Sequence, residues 1–171
     1  MWLLILCFTA EEAWLARHPS ATGSVHLTQF PEIPTGWRDD VLAGKWDRVR
    51  ELRRVITGAL EVARAEKLIG ASLQADPVLY VHDAADRALL NSIDLAEIAI
   101  TSDMEMSADP VPPEAFTLPD VAGVGVIVQL ATGDKCGRCW RVLEEVGGHP
   151  DHPELCDRCY DAVGHLRDAA E

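Results

Sequence analysis

The sequence predicts an α+β fold: a helical amino-terminal part with one long helix, a small mixed α/β junction, and a short cysteine-bearing end. Three observations carry that prediction. Apolar residues recur at helical spacing over residues 37–68. Two β-branched runs bounded by proline and glycine follow, at 78–82 and 121–130. Near the end, Cys136-Gly-Arg-Cys139 and Cys156-Asp-Arg-Cys159 stand sixteen residues apart. With 48% hydrophobic and 25% charged residues the composition is that of a folded chain, and 171 residues suffice for one ordinary domain or two small ones in series. The expected division is residues 1–70, 71–133 and 134–171.

Taken in order, residues 2–17 place Leu3, Leu6, Cys7, Ala10, Ala13 and Trp14 at helical spacing and stop before His18-Pro19. The apolar start is too short to span a bilayer and lacks the basic residues of a signal peptide, so it reads as a helix end packed in a core, with Cys7 as an inert buried thiol, in a cytoplasmic chain. The helix has no capping residue before it and hardly any partner helices here, as if the chain began inside a longer bundle. Pro19, Gly23, Pro31, Pro34 and Gly36 then punctuate a connection holding one strand-like piece, Ser24-Val-His-Leu-Thr-Gln-Phe30. In the long helix Leu42, Trp46, Val49, Leu52, Ile56, Leu60 and Ala63 mark the core face. Arg48, Arg50, Arg53, Arg54, Arg64 and Lys67 lie on its other faces among Asp47, Glu51, Glu61 and Glu66, either as i,i+4 pairs on a solvated surface or as a basic stripe for nucleic acid, densest at Arg50, Arg53 and Arg54.

After Gly70 residues 71–82 read as extended with an interruption at Pro77. Asp83 caps a short helix to about Asn91. Ile98-Ala-Ile100 suggests a strand, and a proline-rich loop spans Asp109 to Pro119. The run Val-Ala-Gly-Val-Gly-Val-Ile-Val reads as a strand delivering the chain to the first cysteine pair. Its Gly123-x-Gly125 lacks the third glycine and the opening helix of a dinucleotide fingerprint.

Two CxxC pairs at this separation form a four-thiolate zinc site, each pair on a tight turn aiming both sulfurs at one tetrahedral centre. Paired disulfides would belong to a small secreted chain. Cys136, Cys139, Cys156 and Cys159 are therefore the expected ligands of one structural zinc, closed to water and so not catalytic, in a four-cysteine zinc ribbon. Gly133 and Gly147-Gly148 supply the backbone freedom for the turns. Lys135, Arg138, Arg141 and Arg158 can offset the site's negative charge. His149 and His152 are assigned to the loop, and Trp140 and Tyr160 either pack over the metal site, the reading preferred, or present a stacking surface.

Lys135-Cys-Gly-Arg-Cys-Trp-Arg141 and His152-Pro-Glu-Leu-Cys-Asp-Arg-Cys159 resemble the carboxy-terminal zinc finger of bacterial isoleucyl-tRNA synthetases, a finger similar to that of formamidopyrimidine-DNA glycosylases. Phe8-Thr-Ala-Glu-Glu-Ala-Trp14, Ser24-Val-His-Leu-Thr-Gln-Phe-Pro31 and Arg64-Ala-Glu-Lys-Leu-Ile-Gly-Ala-Ser-Leu73 favour the synthetase, whose order the whole chain follows. The resemblance implies the end of an anticodon-binding helical domain (1–70), a junction (71–133) and the zinc finger (134–171). It implies a grip on the anticodon side of isoleucine tRNA, with Arg50, Arg53, Arg54, Arg138, Trp140, Arg141 and Arg158 as candidate contacts. The HIGH and KMSKS signatures for ATP are absent, as are the glycosylase's amino-terminal catalytic proline and any nucleophile–base set of the chain's own. The expectation is thus the last fifth of an enzyme, inactive alone, whose ATP-dependent aminoacylation lies in the remainder of the synthetase.

Charge bounds that expectation. The net charge is −13, and only residues 37–70 are net basic, at +2, so any phosphate contact must come from a few cations rather than a broad field. The alternative, from a different class, is a stand-alone zinc-ribbon module derived from the synthetase that binds a protein.

Overall fold

The computed structural model describes residues 6–29 and 31–168, and side chains no further than residue 165. The apolar residues expected at 2–5, and Phe30, lie outside the described residues. The chain divides into two compact units between residues 39 and 40.

In the first unit, helix α1 (Cys7–Arg17) runs to the expected end before Pro19. Glu11 on α1 accepts hydrogen bonds from Ser24 Oγ at 2.9 Å and from the Val25 backbone N–H at 2.8 Å, so Val25 is buried beside it. The strand expected at 24–30 is not formed. Ser24 Oγ accepts from the His26 N–H and starts a 3₁₀ turn, Val25–Leu27, the local side-chain bond competing with extended pairing. Nor is α1 a core helix within this unit: it buries no residue, and Cys7 is exposed.

The second unit is built on α2 (Asp40–Ala65), a helix of 26 residues. Its buried stripe is Val49, Leu52, Val55, Ile56, Ala59, Leu60 and Ala63, of which Val49, Leu52, Ile56, Leu60 and Ala63 are on the predicted face. Leu42, expected on that face, is exposed in the first turn, and Trp46 is half-buried. The stripe packs on a four-stranded sheet in the order β2-β1-β4-β3. The strands are β1 (Val78–Val81), β2 (Glu105–Ser107), β3 (Phe116–Leu118) and β4 (Val121–Ile127). β1 is parallel to β2 and antiparallel to β4 (Leu79 opposite Val126), and β3 is antiparallel to β4. Leu79, Val81, Val124 and Val126 face α2 in one apolar core. Residues 40–70 thus fold together with the sheet that follows.

Between β1 and β2 lie α3 (Ala84–Leu90) and α4 (Leu95–Ala99). Asp83 caps α3 through the Asp86 N–H as expected, and Asp94 caps α4 through that of Glu97. That second cap is why Ile98 and Ala99 are helix, with Ile100 as the residue that ends it, and not the expected strand. Residues 72–74 form a 3₁₀ turn instead of strand, because Gln74 Oε1 accepts from the Gly70 and Ala71 N–H groups. β2 and β3, three residues each, were not expected; β3 falls inside the proline-rich loop.

Beyond β4 the chain enters the cysteine segment: β5 (Asp134–Lys135), β6 (Val142–Leu143) and α5 (Asp157–Asp168). Its small apolar cluster of Cys136, Leu155, Cys156 and Cys159 is separate from the main core.

Candidate metal centre

The β5–β6 hairpin carries the first cysteine pair. Lys135 pairs with Val142, and the turn closes as the Cys136 N–H donates to Arg141 O at 2.8 Å and the Trp140 N–H to Cys136 O at 3.0 Å. Trp140 sits at φ 68°, and Gly133 at φ 105° opens the hairpin. A Cβ at Gly133 would stand 2.3 Å from the Leu143 carbonyl carbon, so only glycine permits this approach. The second pair sits where α5 begins, and the Gly137 N–H donating to Glu154 O at 2.8 Å brings the two turns together.

The four sulfurs of Cys136, Cys139, Cys156 and Cys159 lie within 4.8 Å of one another, and they are the one such cluster among the described residues. A tetrahedral zinc with Zn–S bonds of about 2.3 Å separates its sulfurs by about 3.8 Å. Cys139 and Cys156 Sγ are 3.7 Å apart, and no cysteine is in a disulfide. The chemistry of the donors points the same way. Burial pushes Cys139 up, and burial together with the neighbouring sulfurs pushes Cys156 up to about 12. Burial also acts to raise Cys136, but backbone N–H groups of Cys139, Cys156 and Arg138 outweigh it and bring it down to about 6. Four sulfurs gathered this closely are positioned to bind one metal ion.

The surroundings were only partly foreseen. Arg138 Nη1 reaches Cys159 Sγ at 3.7 Å, as offsetting the site's charge requires. His149 is not in the sulfur cluster: it stacks on Tyr160 at 3.8 Å between ring centroids and bonds to Asp157 at 2.7 Å. His152 meets the edge of the same ring at 6.1 Å. Tyr160 therefore packs as expected, whereas Trp140 is 61% exposed with Lys135 Nζ 5.3 Å from its ring centre. Trp140 is thus largely in solvent, not covered by packing as expected.

The candidate RNA contacts are held in different ways. Arg50 bonds to Asp47 and Arg54 to Asp120 at 2.8 Å, all on exposed surface. Arg53 donates to Ile98 O at 2.8 Å, tying α2 to the end of α4. Arg141 donates through Nε and Nη2 to Ser102 O. Arg158 lies 3.8 Å from Glu97. Ser102, fully buried, is the residue that the sequence did not single out. Its Oγ donates to Leu73 O at 2.5 Å and accepts from the Val142 N–H at 2.6 Å, and its N–H donates to Ala75 O, so with the Arg141 bond to its carbonyl this residue helps fasten the finger to the sheet. A serine in a loop carries no periodic signal that could have marked it.

Comparison with known proteins places this geometry. Residues 133–162 match the zinc finger found in FPG and IleRS. The chain is 51% identical to the isoleucine–tRNA ligase of Ruegeria pomeroyi over 95% of its own length and 17% of that protein's. It is 52% identical to that of Mesorhizobium japonicum over 92% and 16%, and 44% identical to that of Bartonella henselae over 98% and 17%. It spans about one sixth of the length of these relatives. The thiol cluster, the fold that carries it and the identity converge: this chain contains a zinc finger of the FPG and IleRS type and is similar, over nearly its whole length, to the carboxy-terminal region of bacterial isoleucine–tRNA ligases.

Proposed function

We propose that the chain is the carboxy-terminal tRNA-binding portion of an isoleucine–tRNA ligase, with residues 1–70, 71–133 and 134–171 as the end of the anticodon-binding domain, the junction and the finger. The observation that carries this reading is identity near 50% along almost the whole chain with ligases about six times its length. Cys136, Cys139, Cys156 and Cys159 would hold zinc, which supplies a closed tetrahedral anchor with no position left for water. Aminoacylation with ATP belongs to the remainder of the synthetase, the chain's protein partner, and the place of work is the cytoplasm. No helix among the described residues is long and apolar enough to cross a membrane.

Within this reading the anticodon side of isoleucine tRNA meets the exposed Trp140, Arg138 and Arg158 on the finger and Arg50 and Arg54 on α2. Arg53 and Arg141, each bound to a backbone carbonyl, act by holding those surfaces in register. Few cations are available, so affinity should be modest and its salt dependence shallow, in proportion to the few phosphate contacts. Filter binding to isoleucine tRNA and to an unrelated tRNA, at low and moderate salt, tests the reading. Preference for isoleucine tRNA supports it; equal, weak binding to both sinks it, and recovery of protein without tRNA in a pull-down then points to the zinc-ribbon interaction module.

A further inference from the structure

Among the described residues, hydrogen bonds hold the finger to the sheet unit at two places. One is the root by which its chain enters, where the Ala131 N–H donates to Gln74 O at 2.8 Å and Leu130 bridges to Ala75. The other is a catch further along the hairpin, where the Val142 N–H donates to Ser102 Oγ and the Arg141 guanidinium to Ser102 O. A third contact, the ion pair of Arg158 on α5 with Glu97 on α4, is 3.8 Å long and exposed on both sides, and such a pair restrains little. Beside the root and the catch the joint is open. A cleft of about 320 Å³ runs there, with Asp76 and Asp103 on the lip of the sheet unit and Glu144 and Glu145 on that of the hairpin. Like charges on both lips favour widening of the cleft, and the catch opposes a swing of the finger about Ala131.

Ser102 suits that task. Its single hydroxyl is used twice, as donor to Leu73 O and as acceptor from Val142, and its own N–H is taken by Ala75 O at 3.0 Å. Leu73 and Ala75, which anchor it, flank Gln74, which holds the root. Root and catch are therefore set against one short segment. Because Ser102 is fully buried, its hydroxyl cannot turn away without leaving buried polar groups unpaired. We infer that Ser102 is a positioning residue for RNA binding: acting through Val142 and Arg141, it stops the finger from swinging about Ala131, so that the contacts on the finger and those on α2 meet one RNA at a fixed spacing. This role rests on the RNA-binding reading above and adds to it a residue that touches no RNA. Surfaces already held in place spare the ordering that a hinged finger would have to undergo on binding.

The test uses the full zinc-loaded chain, an isoleucine tRNA transcript, and the variants Ser102→Ala, Arg141→Lys and the two combined. The alanine removes the hydroxyl but keeps the carbonyl that Arg141 holds, and the lysine keeps the positive charge but not the paired donors, so the combination is what opens the catch. Nitrogen relaxation of the backbone amides should show the parent's finger and α2 tumbling as one body, and the combined variant's finger moving faster than α2. Zinc content should stay at one equivalent, and affinity for the transcript should fall about three- to tenfold in the combined variant and less in either single one. With the charge at 141 retained, that fall cannot be put down to a lost phosphate attraction. A combined variant that still tumbles as one body overturns the role of Ser102, and so does loss of zinc, which would mean that the residue holds the finger's fold and not its place. A loosened finger with undiminished affinity overturns the positioning role and leaves the RNA reading standing. A parent chain that does not retain the transcript at all overturns both.

Discussion

At the scale of single residues, the metal ligands carry the plainest prediction. The purified chain should contain one equivalent of zinc by metal analysis, and Cys136→Ser should lose it, since no fifth sulfur, carboxylate or imidazole stands in the cluster to replace the missing ligand. A second residue-scale expectation concerns Arg48. Its Nε and Nη2 hold both Asp86 oxygens, at 2.9 and 2.6 Å, with the carboxylate side chain only 11% exposed. Hydrogen bonds to Asp86, then to Glu51, hold the Arg48 guanidinium well above its ordinary value, so the arginine keeps its charge. Arg48→Ala should cost about 1–3 kcal/mol in urea unfolding, the half-exposed arginine bringing it below the full cost of a buried pair. The double variant with Asp86→Ala should lose less than the two single losses added. Asp76 titrates in the opposite sense: burial, then the nearby Asp103 and Glu105, hold its carboxyl above the ordinary 3.8. The folded state therefore binds its proton more tightly than the unfolded chain, so its contribution is complete below 3.8 and is lost as pH rises through the raised folded value. Asp76→Asn should flatten that decline and raise the melting temperature slightly at neutral pH. The four cysteines were legible because their chemistry is fixed by spacing alone. Arg48 with Asp86, and Ser102 with Arg141, were not, because 38 and 39 residues separate the partners and no local pattern joins them.

At the scale of elements, what was legible follows how far each element depends on periodicity. α2 was readable because one apolar stripe repeats from Val49 to Ala63, and β4 because its β-branched and glycine residues, with Ala122 the one other, allow little else. The short elements were decided by single side-chain bonds: Ser24 and Gln74 turned two expected strands into 3₁₀ turns, and Asp94 turned a third into α4. β2 and β3 exist because β1 and β4 offer edges to pair with, a tertiary cause that three residues cannot advertise. The β5–β6 hairpin provides the element-scale test. Gly133 needs both a left-handed backbone and the absence of a Cβ against Leu143, two independent demands. Gly133→Ala should therefore destabilise the finger by at least about 1 kcal/mol and weaken zinc retention in a chelator competition, with the main core unchanged. Gly147→Ala, with a comparable backbone but open space around it, should cost less, which separates the steric demand from the conformational one.

At the scale of the whole molecule, the two apolar clusters set how the chain responds to loss of metal. The α2–sheet cluster has fifteen fully buried members and owes nothing to cysteine, whereas the finger's cluster has four, three of which are the thiols themselves. So small a core cannot offset the ordering of some thirty residues, and structural zinc contributes on the order of 10 kcal/mol to such a segment. Chelation should consequently melt residues 134–165 while α2, β1 and β4 stay folded. The link between them is Ser102, and its bonds predict how far the melting spreads. The Val142 N–H and the Arg141 guanidinium would leave, but the bonds of Ser102 to Leu73 and Ala75 lie within the sheet unit and need no metal. Amide exchange should thus accelerate from about residue 133 onward and remain slow at Ser102 and along α2, with only part of the helical circular dichroism lost. Acceleration of α2 together with the finger would show one cooperative unit and refute the separation of the two cores. Retained protection in 134–165 after complete metal removal would instead show that the finger does not depend on zinc for its fold.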